Sequence, residues 1–156
     1  MICRQFDFKG HMRHFITLVF LLGLVGCANV PLAPVSEDTK AKEFTPDPSK
    51  ASIYVFRDEG FIGAARTISV LIDGVTVGST APKTYFLIQV TPGKHKLAST
   101  EGKFYSLDLN VEAGKLYFVR HIPHIEMWGV SGSFEIVSED RGKKGLQECK
   151  LAPNLF

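Results

Sequence analysis

His121-Ile122-Pro123-His124-Ile125-Glu126 is the one cluster in this 156-residue sequence that resembles a set of metal ligands. Zinc and similar ions take imidazole and carboxylate, and three such groups can build a site with an open position. A two-residue gap between histidines is common by chance, however, and Pro123 is expected to break the strand between them. The favoured reading is a strand end with exposed polar side chains. His95 could join the cluster only if two hairpin ends met. Ser52, Ser69, Ser99, Ser106, Ser131, Ser133 and Ser138 sit in no nucleophile-elbow sequence, and no Ser-His-Asp order stands out. The carboxylate pairs Asp58-Glu59 and Glu139-Asp140, like Lys143-Lys144, read as solvated turns. Asp73-Gly74 and Pro92-Gly93 read as tight turns, where glycine supplies backbone freedom. Neither leads a strand into a helix as a phosphate loop does. The expectation is therefore no catalytic set and no cofactor.

The three cysteines divide by position. Cys27 ends the apolar run Phe15 to Gly26, twelve residues that would rise about 18 Å as a helix, short of a ~30 Å hydrocarbon core. With Arg13 as its positive flank, the run reads as a signal-peptide h-region rather than a membrane span. Met12-Arg13-His14 already makes a complete n-region, leaving Met1 and Met12 as alternative starts. Leu24-Val25-Gly26-Cys27 resembles the lipobox of bacterial lipoproteins. That resemblance implies removal of residues 1–26 and acylation of Cys27, since several chains anchor stably where one does not. Ala28 rather than aspartate follows, which points to the outer membrane of a Gram-negative cell, on its periplasmic face. Cys3 would leave with the leader, so Cys149 would be the mature form's one thiol, expected buried and slow to react. The formal charge of +2 resides in the leader, so the mature chain is near neutral and offers no basic field for nucleic acid.

Residues 27–49 hold four prolines and no sustained period, and are expected to form an extended, flexible tether of its own kind before the domain at 50–156. Phe44 is the residue of that stretch expected to dock on the domain. Beyond Ala51 the period is two. Ala51–Arg57 is apolar on both sides, as a central strand would be. Thr67–Ile72 and Val75-Thr76-Val77 flank Asp73-Gly74 as a hairpin, and Tyr85–Val90 closes at Thr91-Pro92-Gly93. His95–Thr100, Phe104–Val111, Leu116–Ile122, Ser133–Ser138 and Leu146–Leu151 complete about eight short strands with no useful amphipathic helix. The expected fold is all-β, an antiparallel β-sandwich, with a small barrel as the alternative.

Four stretches recur in an order that resembles a known family. They are Ile53-Tyr54-Val55-Phe56-Arg57, Ile72-Asp73-Gly74 with Gly78, Pro92-Gly93-Lys94-His95, and Ala113-Gly114-Lys115 running into Leu116-Tyr117-Phe118-Val119. Together they look like the small bacterial lipoproteins of domain of unknown function 2846, over roughly residues 50–152. The Asp-Gly and Pro-Gly-x-His parts are also similar to PEGA-type β-sandwich modules. The resemblance implies a β-sandwich and brings no catalytic residues. Departures from it are the apolar stretches Phe61-Ile62-Gly63-Ala64-Ala65 and Met127-Trp128-Gly129. Large apolar residues in loops either plug an open end of the core or form a partner surface of Phe61, Ile62, Met127 and Trp128.

The functional expectation is a non-enzymatic envelope module, held by its lipid anchor, that binds or scaffolds an envelope protein or peptidoglycan. The alternative is a metal-binding or metal-dependent envelope protein using His121, His124 and Glu126.

Overall fold

A computed structural model describes residues 30–58, 66–99, 105–127 and 129–155. The expected leader, the acylation site Cys27, and Phe61, Ile62 and Trp128 lie outside the described residues. No helix among the described residues is long and apolar enough to cross a membrane.

β1 (Ala51–Arg57) is buried along its whole length. It holds the middle of a five-stranded sheet of order β8-β7-β1-β4-β9, where β4 is Thr84–Val90, β7 Leu116–Glu126, β8 Gly129–Val137 and β9 Lys150–Leu151. A second sheet, of order β3-β2-β5-β6, comprises β2 (Ile68–Ile72), β3 (Val75–Thr80), β5 (Gly93–Ser99) and β6 (Tyr105–Val111). The expected double-sided burial of β1 is explained by two apolar clusters. Ile53 and Val55 face a core shared with Val70, Ile72, Leu97 and Leu109 of the other sheet. Tyr54 and Phe56 face a second cluster on the outer side, with Phe118, Leu146 and Cys149.

The expectation of a wholly antiparallel fold is corrected. β1 pairs with β7 in parallel, Val55 opposite Val119, and β4 pairs with β9 in parallel at Thr84 and Tyr85. The chain leaves the first sheet after β4, builds β5 and β6 in the second sheet, and re-enters beside β1 from the same end. A period of two records which face a residue takes and carries no information on strand direction. The result is a mostly β, two-sheet fold with two short helices among the described residues.

Both helices replace expected non-helical segments. α1 (Val35–Ala41) lies within the expected tether, started by Pro34 at its N-cap. Seven residues are too few to hold a helix alone, so its stability comes from docking. The buried Asp38 accepts from the Leu151 N–H at 2.9 Å, and Lys42 Nζ spans Asp38 Oδ2 at 3.0 Å and the Cys149 carbonyl at 2.7 Å. The Ala33 N–H reaches the Leu151 carbonyl at 2.8 Å. Phe44 does dock, its ring 5.3 Å from that of Tyr54 and 5.9 Å from that of Phe118.

α2 (Glu139–Gln147) takes the place of expected turns and of the first part of the expected strand at Leu146–Leu151. Ser138 caps it by accepting from the Arg141 N–H at 3.4 Å, and Glu139 and Asp140 in the first turn suit the helix dipole. Cys149 follows it. Burial, then the nearby Asp58 carboxylate, pushes its thiol up to about 12, in keeping with the quiet thiol expected.

Candidate functional site

β7 outlasts its neighbour. β1 follows it from Leu116 to Arg120, whereas β8 accompanies it to Glu126, opposite Gly129. Pro123 therefore does not break the strand as expected. Beyond Arg120 the strand is paired, among the described residues, on the β8 side alone, so an imide nitrogen can face the other side, the position where strands tolerate proline.

Alternation along this hairpin separates the candidate ligands. His121 stands opposite Phe134 and stacks on it, centroids 4.7 Å apart, and its Nδ1 lies 3.0 Å from Thr80 Oγ1. Thr80 gives its one hydrogen to the Ile68 carbonyl at 3.3 Å, so its oxygen accepts from the imidazole. The remaining nitrogen, Nε2, has no hydrogen-bond partner among the described residues and abuts Gly132, where a Cβ would lie 2.0 Å away. Burial, then the charges of Arg57 and His124, lowers the His121 pKa to about 3, and the ring is neutral.

His124 projects to the opposite face, its Nε2 2.7 Å from Ser133 Oγ and its ring 5.4 Å from that of Tyr105. Glu126 accepts from Ser131 Oγ at 2.7 Å. The alternative expectation of one site from His121, His124 and Glu126 is thus corrected, because residues three apart on a strand face opposite ways. Among the described residues no three potential ligands gather to hold a metal ion.

His95 is instead brought to Asp73, uniting the Asp-Gly and Pro-Gly-x-His stretches. Asp73 (φ 52°) and Gly74 (φ 81°) make the left-handed pair that a tight hairpin turn requires. The Asp73 backbone N–H donates to the Lys96 carbonyl at 2.9 Å, and its Oδ1 accepts from the Lys96 N–H at 2.8 Å. His95 Nδ1 lies 2.6 Å from Asp73 Oδ2, and Nε2 lies 2.8 Å from the Thr91 carbonyl.

Both partners only accept, so the ring must carry both hydrogens and the positive charge. Burial works against that charge, but the bonds to Asp73 and Thr91 outweigh it and raise the His95 pKa. Burial likewise opposes ionisation of Asp73, and the bonds from His95 and Lys96 outweigh it in turn. A cleft of about 500 Å³ opens beside this pair, lined by Lys94, Lys96, Asp108 and Asn110 among others. With both nitrogens engaged, His95 offers no lone pair to a ligand there. The pair clasps a turn to a strand.

What remains free is the hairpin's end. Arg120 Nε donates to Asp58 at 2.9 Å, and Glu135 on β8 binds Arg141 Nη1 at 3.0 Å, fixing the hairpin's base to β1 and α2. Beyond that base Ile125 is 74% exposed and Met127 87% exposed, so Met127 does not plug the core. Ile125 shares the inward parity of Val119 and His121. It lies at the far end of the hairpin, past the last residue that β1 pairs, although His124 beside it still meets Tyr105 of the second sheet.

A family model described as "Protein of unknown function (DUF2846)" matches residues 47–133. A protein of Haemophilus influenzae, described as an uncharacterized protein, is 37% identical over 132 residues, covering 83% of this chain and 77% of its own. No solved structure matches. The family match spans the motif stretches and the hairpin to Ser133, and ends before α2.

Proposed function

The chain belongs to the DUF2846 family, and from that premise we propose a lipid-anchored, non-enzymatic binding module of the cell envelope that recognises its partner through the β7–β8 hairpin. The observation that carries this reading is the exposed apolar pair Ile125 and Met127 on a hairpin whose base is held by ion pairs. Exposed apolar side chains on a rigid support bind with little loss of conformational entropy. Such residues supply most of the energy of an interface. Trp128, next in the chain, adds an aromatic residue of the type favoured at those positions.

Phe61 and Ile62, which lie outside the described residues, are further candidates for the partner surface on their sequence alone. The lipobox-like Leu24-Val25-Gly26-Cys27 supports acylation, with Ala28 favouring the outer membrane and its periplasmic face. An envelope protein or peptidoglycan is the partner class that location supplies. Two sheets sharing one core support a sandwich of the PEGA-type kind.

A photo-crosslinking residue in place of Met127, compared with one at the exposed Glu112, tests the surface in intact cells. The expected result is one discrete adduct from Met127 alone, lost on Ile125→Asp without a change in thermal stability. Equal adducts from both positions, or none from Met127, would overturn the hairpin reading.

A further inference from the structure

Val30, the first described residue, packs against the core only three residues after Cys27. At about 3.6 Å per residue the intervening chain can span no more than about 11 Å. A domain of this size has a radius of gyration of about 14 Å. The expected tether of residues 28–49 would have let the domain turn freely above a membrane. With residues 30–44 packed on the domain, that freedom is gone, and whichever surface surrounds Val30 must lie closest to the anchor.

That surface is a seam. β3 is an outer strand of one sheet and β9 of the other, and between them run the entering chain and the departing one. Val30, Pro31, Phe86, Ala152, Pro153 and Leu155 line an open cleft of about 370 Å³ there. The Leu155 N–H donates to the Val77 carbonyl at 2.9 Å, which fixes the C-terminal segment along β3. Gly78 makes room for the Phe86 ring, since a Cβ there would lie 2.9 Å from it. Thr76 and Ser79 add hydroxyls on the β3 side, but the most open lining residue is apolar: Leu155 is 80% exposed, and Leu32 and Val75, next to lining residues in the chain, are each just over half exposed.

We propose that this seam is a membrane-seating surface, in which Leu155, Leu32 and the lining of the cleft rest against the interfacial layer of the bilayer. The inference rests on acylation of Cys27 under the proposed function. Apolar side chains within about 11 Å of an acylated residue meet lipid at no further entropic cost, because the anchor has already confined the domain. Each apolar group buried in the interface then adds to the hold of the acyl chains. The β7–β8 hairpin leaves from the other edge of the five-stranded sheet, four strand spacings or about 19 Å away, and is carried clear of the lipid.

The test uses the full chain made in a Gram-negative host and purified from its membranes. The mass of the N-terminal peptide first reports whether Cys27 is acylated. The acylated protein, as Leu155→Cys or Met127→Cys, is labelled with an environment-sensitive fluorophore while the buried Cys149 stays unlabelled. Each is placed in phosphatidylethanolamine–phosphatidylglycerol vesicles containing a lipid with a quencher near its headgroup. Severalfold stronger quenching and a blue shift at position 155 relative to 127 is the expected result. Equal quenching, or stronger quenching at 127, would overturn the seating surface while leaving the anchor intact. An unacylated Cys27 would overturn both.

Discussion

Between pH 6.5 and about 3 the unfolded chain takes up a proton at His121 that the folded chain refuses, because the buried ring has no solvated place for the charge. A folded pKa below the unfolded one means stability that is complete above 6.5 and lost as the pH falls. The steepest slope for one such group is about 1.4 kcal/mol per pH unit. Thermal unfolding from pH 7 to 4 should therefore show the native protein losing stability faster than His121→Gln; parallel losses would refute the assignment. His95 has the opposite sign. Its folded pKa is raised, so its contribution is full below 6.5 and disappears as the pH rises through the folded value. His95→Gln should cost more at pH 6 than at pH 9, and no more than about 1 kcal/mol, because Asp73 is open to solvent. An equal cost at both pH values would show that the ring acts through packing instead of charge. The sequence displayed both histidines but not this division of labour. Partners 41 residues away, as Thr80 is from His121, leave no local pattern.

Helix α2 lies against the sheet through two glycines. A Cβ at Gly142 would meet Phe118 at 2.3 Å, and one at Gly145 would meet Phe56 at 2.5 Å. Two terms compete in Gly142→Ala. Alanine favours a helix by about 1 kcal/mol, whereas forcing a methyl group into a filled contact costs about 1–3 kcal/mol. Phe118 is packed in a triangle of rings with Tyr54 and Phe44, which leaves it little room to withdraw. The contact should win, and urea unfolding should show a net loss of up to about 2 kcal/mol. A gain would mean that the helix can lift off the sheet. These glycines also explain why α2 escaped notice, since Glu139-Asp140-Arg141-Gly142-Lys143-Lys144-Gly145 is dominated by turn-like residues. The available signal was Ser138 followed by two acidic residues. Strands were far more legible: β1 and β4 came within one residue of their ends, because their apolar alternation is set by burial on known faces. β7 was cut short at Ile122 because a proline's cost depends on whether its strand has one neighbour or two.

At the scale of the whole molecule, the segment before β1 is the least predictable part. Four prolines in residues 28–49 suggest an extended chain, but they also fix the turns that bring α1 and Phe44 onto the domain. Asp38 is the side chain that secures it. Asp38→Ala would leave the Leu151 N–H buried without its acceptor, a loss of about 1–3 kcal/mol. Hydrogen exchange at Leu151 should quicken by at least tenfold in that variant, and an unchanged rate would show that α1 docks by its apolar contacts. A period of two is enough to indicate a mostly β fold. Which edge receives the ends of the chain was not accessible to periodicity, because that edge is built from the longest-range contacts.

The bond from Ala33 to Leu151 has a consequence for biosynthesis. A polypeptide is delivered amino end first, so residues 30–41 emerge more than a hundred positions ahead of their seat on β9. Until the last few residues arrive, they lack the bonds that Leu151 makes to Ala33 and Asp38. Under the proposed acylation of Cys27, residues 30–41 therefore gain their bonds to β9 only after the whole chain has been made, so a peptidase or acyltransferase would meet Cys27 before that seat is occupied.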